Sequence, residues 1–511
     1  MNGGFVKATP ESQGIPSAAV GQLIKSVKDD GMDIHSLHIF RNGYLVAGGC
    51  AKPYAEKKPR RIYSAAKSIV SLAVLFAVQE GLLNLDDAII SYFPDELPDE
   101  VSDYLASLRI IDMLVMSTGM EVDELDEYIH SNGQNDIVRS FFSRNITNRP
   151  GTVFFYNNAV PEILGILIQK VTGQTYVEYL SPRVIKPLDA FFTVQLTAQG
   201  WLNGSTTVST ILDLAKFTLL YLQGGMWEGR QLIDPDLIKL ATTKQISTEG
   251  ISKNNAMSHL KDECGYGFQL WMNQFGGFRL SGAFSQMGMA IPEENLAIVY
   301  TGMETRDIDS YIYSTIYTNL KQEAIHETKS AVTDRYEMEH MFLNWSSAPD
   351  YSDSAPEIES KYDGKVFSID NNKNNITGIT FNFSDRSLTI EQGCEKIKLA
   401  YGINGEFIEN PRCITKTYTP QIIYGADSNI SYLSAGWNNK HFLFEIRYAA
   451  DMISDYFVVT FSNDSILVIS ESTLERLNVY GFGETPETDN KIEKSDGKKH
   501  RAGSTYRGTL R

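Results

Sequence analysis

Ser64-Ala65-Ala66-Lys67-Ser68-Ile69-Val70-Ser71-Leu72-Ala73-Val74-Leu75-Phe76-Ala77-Val78 is the stretch on which the fold of this chain turns. It sets a hydroxyl and an amine three positions apart at the head of an apolar run. In a helix, residues i and i+3 share a face, so the amine of Lys67 would lie beside the hydroxyl of Ser64. Gly81 follows Gln79-Glu80 where such a helix would end, and the pattern predicts a helix over 64–80. That spacing suits a serine nucleophile with its own base. It also suits an N-cap serine followed by a solvated first-turn lysine, and four letters alone do not separate the two.

Outward from this segment, residues 37–48 read as two short strands around Asn42-Gly43, a strong hairpin signal. Further helices are predicted at Leu108–Met116, Ala159–Val171, Ile211–Leu222 and roughly Asp307–Lys321, with strands at Tyr266–Met272, Gly277–Ser281, Met287–Ile291 and Leu296–Thr301. Strands at both ends with helices between them describe an α/β (α+β) domain whose antiparallel sheet joins N- and C-terminal segments over residues 1–330. Residues 331–360 read as a linker, rich in Ser, Asp and Pro toward their end. Period-two runs such as Ile379/Phe381/Phe383 and Phe442/Phe444/Ile446 then predict an antiparallel β domain over 361–482. The apolar-poor stretch 483–511 reads as a disordered tail.

Composition narrows the function classes. At 511 residues the chain is long enough for two or three domains of roughly 100–200 residues each. With 46 basic against 63 acidic residues its net charge of −17 opposes nucleic acid and anionic lipid. The longest apolar run, Ile69 to Val78 interrupted by Ser71, is far short of the roughly 20 residues that span a bilayer. No basic region precedes an apolar one at the N-terminus, and cytoplasmic residence is expected. Cys50, Cys264, Cys394 and Cys413 have no C-x-x-C spacing, and the eight histidines show no H-E-x-x-H, so no metal and no cofactor is expected.

A lone serine hydroxyl is a poor nucleophile and needs a base, a proton shuttle and donors for an oxyanion. There is no G-x-S-x-G in the chain, which excludes the nucleophile elbow. S-x-x-K recurs at Ser495–Lys498 in the polar tail, without an apolar run behind it. A second element is Pro150-Gly151-Thr152-Val153-Phe154-Phe155-Tyr156-Asn157-Asn158, before a predicted helix. Tyr156 can carry a proton between Ser64 and a leaving group if Lys67 lowers its pKa, and Asn158 can donate to a substrate carbonyl. The same Tyr-Asn-Asn can simply cap the helix from Ala159.

Taken together, these segments resemble the serine β-lactamase and penicillin-binding-protein superfamily, specifically its class C β-lactamase-like branch of esterases, D-aminopeptidases and 6-aminohexanoate-dimer hydrolases. The resemblance covers about residues 5–325 and includes Leu85-Asp86-Asp87, Tyr92-Phe93-Pro94, Leu114–Gly119, Pro150-Gly151-Thr152 with Tyr156-x-Asn158, and Lys186-Pro187-Leu188. It implies a β-lactamase/transpeptidase-like domain and an acyl-enzyme on Ser64, with Lys67 and Tyr156 as coupled base and acid. Asn158 would orient a substrate amide or Lys67. The branch's third motif, Lys-Thr-Gly or His-x-Gly, is matched to Gly282-Ala283-Phe284-Ser285-Gln286, leaving Ala283 where a cation would stand, with Phe284 and Ser285 beside it on the substrate. That loss argues against binding a carboxylate-bearing β-lactam. Main-chain N–H groups of Ser64 and Gln286 would still form the oxyanion hole. The C-terminal β domain resembles lipocalin-like or barrel-like extensions.

The expected function is therefore a serine hydrolase acting on a small ester or amide. The alternative is a catalytically inactive module that binds a ligand or peptide in the same cleft. Loops at Glu121–Tyr128 and Thr242–Asp262 are candidates to cover the pocket.

Overall fold

The computed structural model describes residues 4–121, 136–196, 202–249, 264–306, 308–346, 351, 353–372, 375–412, 430–438, 440–448, 454–472, 492–493, 499–500 and 504–510. The Asn42-Gly43 turn, with both residues at positive φ, joins β1 (Ile34–Arg41) to β2 (Tyr44–Cys50) as the sequence pattern predicts. Small strands follow at β3 (Arg60–Arg61), β4 (Phe192–Leu196) and β5 (Leu202–Ser209), which form a sheet of their own, and at β6 (Met226–Trp227) and β7 (Arg230–Gln231). The chain then returns to the main sheet with β8 (Trp271–Met272), β9 (Phe278–Gly282), β10 (Gln286–Ile291) and β11 (Leu296–Gly302). Its order is β2-β1-β11-β10-β9-β8, antiparallel throughout, so the first and last strands of the domain pair at its centre.

Alternation along these strands feeds two separate cores. Ala297 and Val299 of β11 and Ala290 of β10 face one core, while Leu296, Ile298, Met287 and Met289 face the other. The first is filled by α2 (Ala66–Gln79), α3 (Ala159–Thr172) and α4 (Ile211–Leu222). Gly288 lets α4 come this close: a Cβ there would sit 2.1 Å from the Thr218 hydroxyl. The second core is covered by α1 (Ser17–Asp29) and α5 (Lys329–Leu343).

Several expectations need correction. Helix α1, entered at Pro16, has no counterpart in the sequence reading. The linker begins later than residue 331, because α5 packs Met338, Met341 and Phe342 onto the N-terminal domain. The predicted helix over 307–321 is a short helix, Asp309–Thr315, and a 3-10 turn, Tyr317–Asn319. The predicted strand 266–272 narrows to β8, since Gln269 turns left-handed (φ 59) and sends its side-chain amide to the Met113 and Leu114 carbonyls.

The C-terminal domain is a ten-stranded antiparallel sheet that nearly closes into a barrel. After α6 (Pro356–Tyr362) it runs through β12 (Val366–Ile369), β13 (Ile376–Asn382), β14 (Ser387–Gln392), β15 (Glu395–Ala400), β16 (Ile408–Asn410), β17 (Ser431–Asn438), β18 (His441–Tyr448), β19 (Ser454–Ser462) and β20 (Ser465–Ser472). A two-residue pair, β21 (Ile492–Glu493) and β22 (Lys499–His500), precedes β23 (Ser504–Leu510). β23 inserts between β12 and β20. The expectation of a disordered tail is thus wrong for 504–510: alternation of polar and small residues hid a strand whose partners supply the apolar surface. The free edges meet where the Asn410 side chain bonds the Ala400 N–H (2.7 Å) and C=O (2.9 Å). Phe367, Phe381, Phe442, Phe444 and Phe457 fill the interior, and Trp437 ties α6 to it through Glu359 (2.6 Å). No helix among the described residues is long and apolar enough to cross a membrane.

Candidate active site

Ser64 lies in a 3-10 turn, Tyr63–Ala65, that runs into α2, so the regular helix starts two residues later than the sequence pattern predicts. Ile62 N–H donates to Thr207 C=O (3.1 Å), fixing the end of β3 on β5. Tyr63 is left-handed (φ 47), and this bend leaves Ser64 partly exposed at the mouth of the helix. Such conformations are costly for a bulky residue and are found where surrounding structure enforces them.

One turn on, Lys67 is buried (9% exposed) and its Nζ donates to Ser64 Oγ at 2.8 Å and to Asn158 Oδ1 at 2.9 Å. Its charge lies 5.1 Å from the centre of the Tyr156 ring, within cation–π range. Tyr156 is held by stacking on Trp271 (5.6 Å, 22°) and by the edge of Tyr266 (6.5 Å, 87°). Its hydroxyl makes no hydrogen bond among the described residues. Burial, with Tyr156 adding to it, pushes the Tyr266 phenol well above its usual range and keeps it neutral.

The Tyr-Asn-Asn motif divides its tasks. Asn157 Oδ1 accepts from Ala159 N–H (2.8 Å) and serves the start of α3, which leaves Asn158 to face Lys67. From behind, Ser68 Oγ donates to Gln269 C=O (2.7 Å), and Tyr221 OH donates to Ser68 C=O (2.7 Å). Both bonds pin the first turn of α2.

The β9–β10 hairpin forms the opposite wall. A Cβ on Gly282 would stand 2.2 Å from Ile62 C=O and 3.1 Å from Ala65 N, so only glycine lets β9 approach the serine turn. Next come Ala283, which is exposed, and Phe284 and Ser285, both left-handed (φ 61 and 69). The Phe284 ring meets the Tyr63 ring edge-on at 5.4 Å. Ser285 Oγ is turned to Glu304 C=O (3.0 Å). Gln286 is fully buried, its side-chain amide donating to the Ala283 (3.3 Å), Phe284 (2.8 Å) and Gly302 (2.7 Å) carbonyls. Among the described residues the N–H groups of Ser64 and Ala283 donate no hydrogen bond.

Of the predicted residues, Ser64, Lys67, Tyr156 and Asn158 are brought together, with Ala283 and Phe284 across from them. Ser285 and Gln286 are turned into the hairpin. The cation of β9, Arg279, is buried against Asp309. Of the two predicted pocket loops, residues 122–128 and 250–262 lie outside the described residues. Sequence reasoning missed Tyr63, Trp271, Tyr266 and Gln269. Trp271 and Tyr266 stood in a predicted strand, and nothing in the sequence marks a left-handed tyrosine.

Comparison with known proteins gives partial relatives and one family. "Protein flp" of Staphylococcus aureus is 32% identical over 130 residues, 25% of this chain and 26% of its own length. The chain thus spans about a quarter of the length of that curated relative. A penicillin-binding protein homologue from Caulobacter crescentus is similar in structure at TM-score 0.48 and 16% identity, over 60% of this chain and 97% of its own. A D-stereospecific amidohydrolase from Streptomyces aligns at TM-score 0.45 and 17% identity, over 58% and 98%. Over residues 4–307, more than half of its length, the chain matches the family profile described as Beta-lactamase, and it belongs to that family.

Proposed function

We propose that the protein is a cytoplasmic serine hydrolase that cleaves a small, uncharged ester or amide through an acyl-enzyme on Ser64. The observation that carries this is the double hydrogen bond of Lys67 Nζ to Ser64 Oγ and Asn158 Oδ1, above the Tyr156 ring. A lysine held this way is fixed in the one place from which it can exchange a proton with the serine.

Ser64 Oγ attacks the carbonyl carbon, and its proton passes to the Lys67–Tyr156 pair. The oxyanion is received by two main-chain N–H groups. Ser64 supplies one, because a residue in the first turn of a helix has no intrahelical acceptor for its N–H. For the second we assign Ala283 rather than Gln286, since Ala283 is exposed beside Gly282 while Gln286 is sealed inside the hairpin. The pair returns the proton to the leaving alcohol or amine as the C–O or C–N bond breaks. Water then attacks the acyl-Ser64 ester by the reverse route, releasing the acid and restoring the hydroxyl.

The wall formed by Tyr63 and Phe284 is aromatic, and β9 carries no cation apart from the paired Arg279. Both features favour an uncharged acyl group over a carboxylate. A fluorophosphonate probe is expected to label the wild type at Ser64 and to leave Ser64→Ala unlabelled. Saturable binding of an ester without label or turnover would replace this reading with a binding-only role.

A further inference from the structure

Strand β18 of the C-terminal barrel carries Arg447 into the hydrolase domain, where it is 3% exposed. Its Nη1 donates to Tyr54 OH (2.9 Å) and Asp33 Oδ1 (3.1 Å), and Glu445 Oε1 lies 2.9 Å from its Nε. The Tyr54 ring is stacked on His35 (3.9 Å, 25°) and lies beneath the Arg60 guanidinium (4.2 Å). Arg60 Nη1 is 3.2 Å from His35 Nδ1. His35 Nε2 lies 3.3 Å from both Asp33 Oδ1 and Arg447 Nη1, so the ring is bracketed by the two guanidinium groups. Arg60 is in β3, three residues before the left-handed Tyr63 and four before Ser64.

A stacked, buried column therefore runs from the barrel to the strand that delivers Ser64. Its layers are Arg447, then Tyr54 with His35, then Arg60. Residues 60–62 are also tied to β5, through the pairing of the two-residue β3 with Ser209 and Val208 and through Ile62 N–H to Thr207 C=O. A bulky residue held at positive φ needs such support from outside its own turn.

We propose that Arg447 is a positioning residue for Ser64, through which the C-terminal barrel fixes the 60–63 segment and hence the nucleophile. This inference rests on the reading of Ser64 as nucleophile only for its catalytic consequence. Arg447 touches no reacting atom and acts through Tyr54, His35 and Arg60.

The test uses the full chain and two readouts: amide hydrogen exchange over residues 60–66, and hydrolysis of p-nitrophenyl butyrate. In Arg447→Met, exchange over 60–66 should rise at least about fivefold and kcat should fall at least about tenfold, with KM within roughly threefold, since small misplacement of a nucleophile is costly. Arg447→Lys should recover part of both, keeping the charge without the fork. Lys398→Ala, on the barrel surface, should change neither. A folded Arg447→Met in which either readout stays within about twofold of wild type overturns the proposal. Should Arg447→Met not fold, Tyr54→Phe removes one acceptor and keeps the stacked ring; it must move both readouts in the same direction or the proposal fails. A wild type that neither turns over nor labels refutes the acyl-enzyme reading instead, and exchange alone then decides whether Arg447 holds the segment.

Discussion

Lys67 concentrates the chemistry proposed for this protein at one atom. Its Nζ reaches Ser64 and Asn158 while its charge sits against the Tyr156 ring. Lys67→Met and Tyr156→Phe should each lower kcat by about 10²–10⁴, the usual contribution of a positioned acid–base group. Asn158→Ala should cost less, roughly 10–100-fold, matching one hydrogen bond to a charged group. Steady-state kinetics on p-nitrophenyl butyrate checks all three; losses confined to KM would show that these residues bind rather than act. This part of the site was legible in the sequence because i, i+3 spacing fixes Ser64 against Lys67 regardless of the rest of the fold. Asn158 was legible as a candidate but not its exact partner. The hairpin residues were not legible: whether Ser285 or Ala283 faces the cleft depends on two consecutive left-handed residues, which sequence periodicity does not record.

Among the elements, the approach of β9 to the serine turn is the tightest tolerance. Gly282→Ala would place a methyl 2.2 Å from Ile62 C=O. Relief by backbone movement should cost about 1–3 kcal/mol of stability, as overpacking does. It should also cost more than tenfold in activity by pulling Ala283 away from Ser64, in line with the roughly 10²–10³-fold effect of losing one oxyanion donor. Thermal melts together with kinetics test this, and full activity in a destabilised variant would separate β9 from the oxyanion hole. Elements with strong patterns were legible: α3 and α4 fall within a residue of their predicted limits, and the Asn-Gly hairpin, predicted over 37–48, runs from Ile34 to Cys50. Where a prediction failed, local pattern was overridden. Gln269 broke a strand to satisfy two helix-end carbonyls. Helix α1 was missed although it buries Val20, Leu23, Ile24 and Val27 at helical spacing, because a short N-terminal segment after Gly14 and Pro16 reads equally as loop.

In the whole molecule, the buried polar contacts between the barrel and the hydrolase domain make stability depend on pH. Burial, assisted by Arg60 and Arg447 against the opposing pull of Asp33, holds His35 down at about 4, from an ordinary 6.5. The unfolded chain therefore binds more protons between these values. The contribution of His35 is complete above pH 6.5 and is lost as pH falls toward 4. For a fully buried ring the difference is on the order of 3 kcal/mol. Urea midpoints at pH 7 and pH 4.5 should differ more for wild type than for His35→Gln; parallel shifts would remove His35 as the source. Domain order was legible from the change in periodicity near residue 360. The contact between domains was not, since Arg447 and Asp33 are 414 residues apart and neither stands in a motif. Nor was the closing strand, because 504–510 becomes a strand only beside β12 and β20. Intact-protein mass spectrometry during turnover of p-nitrophenyl butyrate tests the central claim most directly. The account predicts a butyryl adduct mapping to Ser64, absent from Ser64→Ala and longer-lived in Tyr156→Phe; turnover with no adduct, or with the acyl group on another residue, would contradict it.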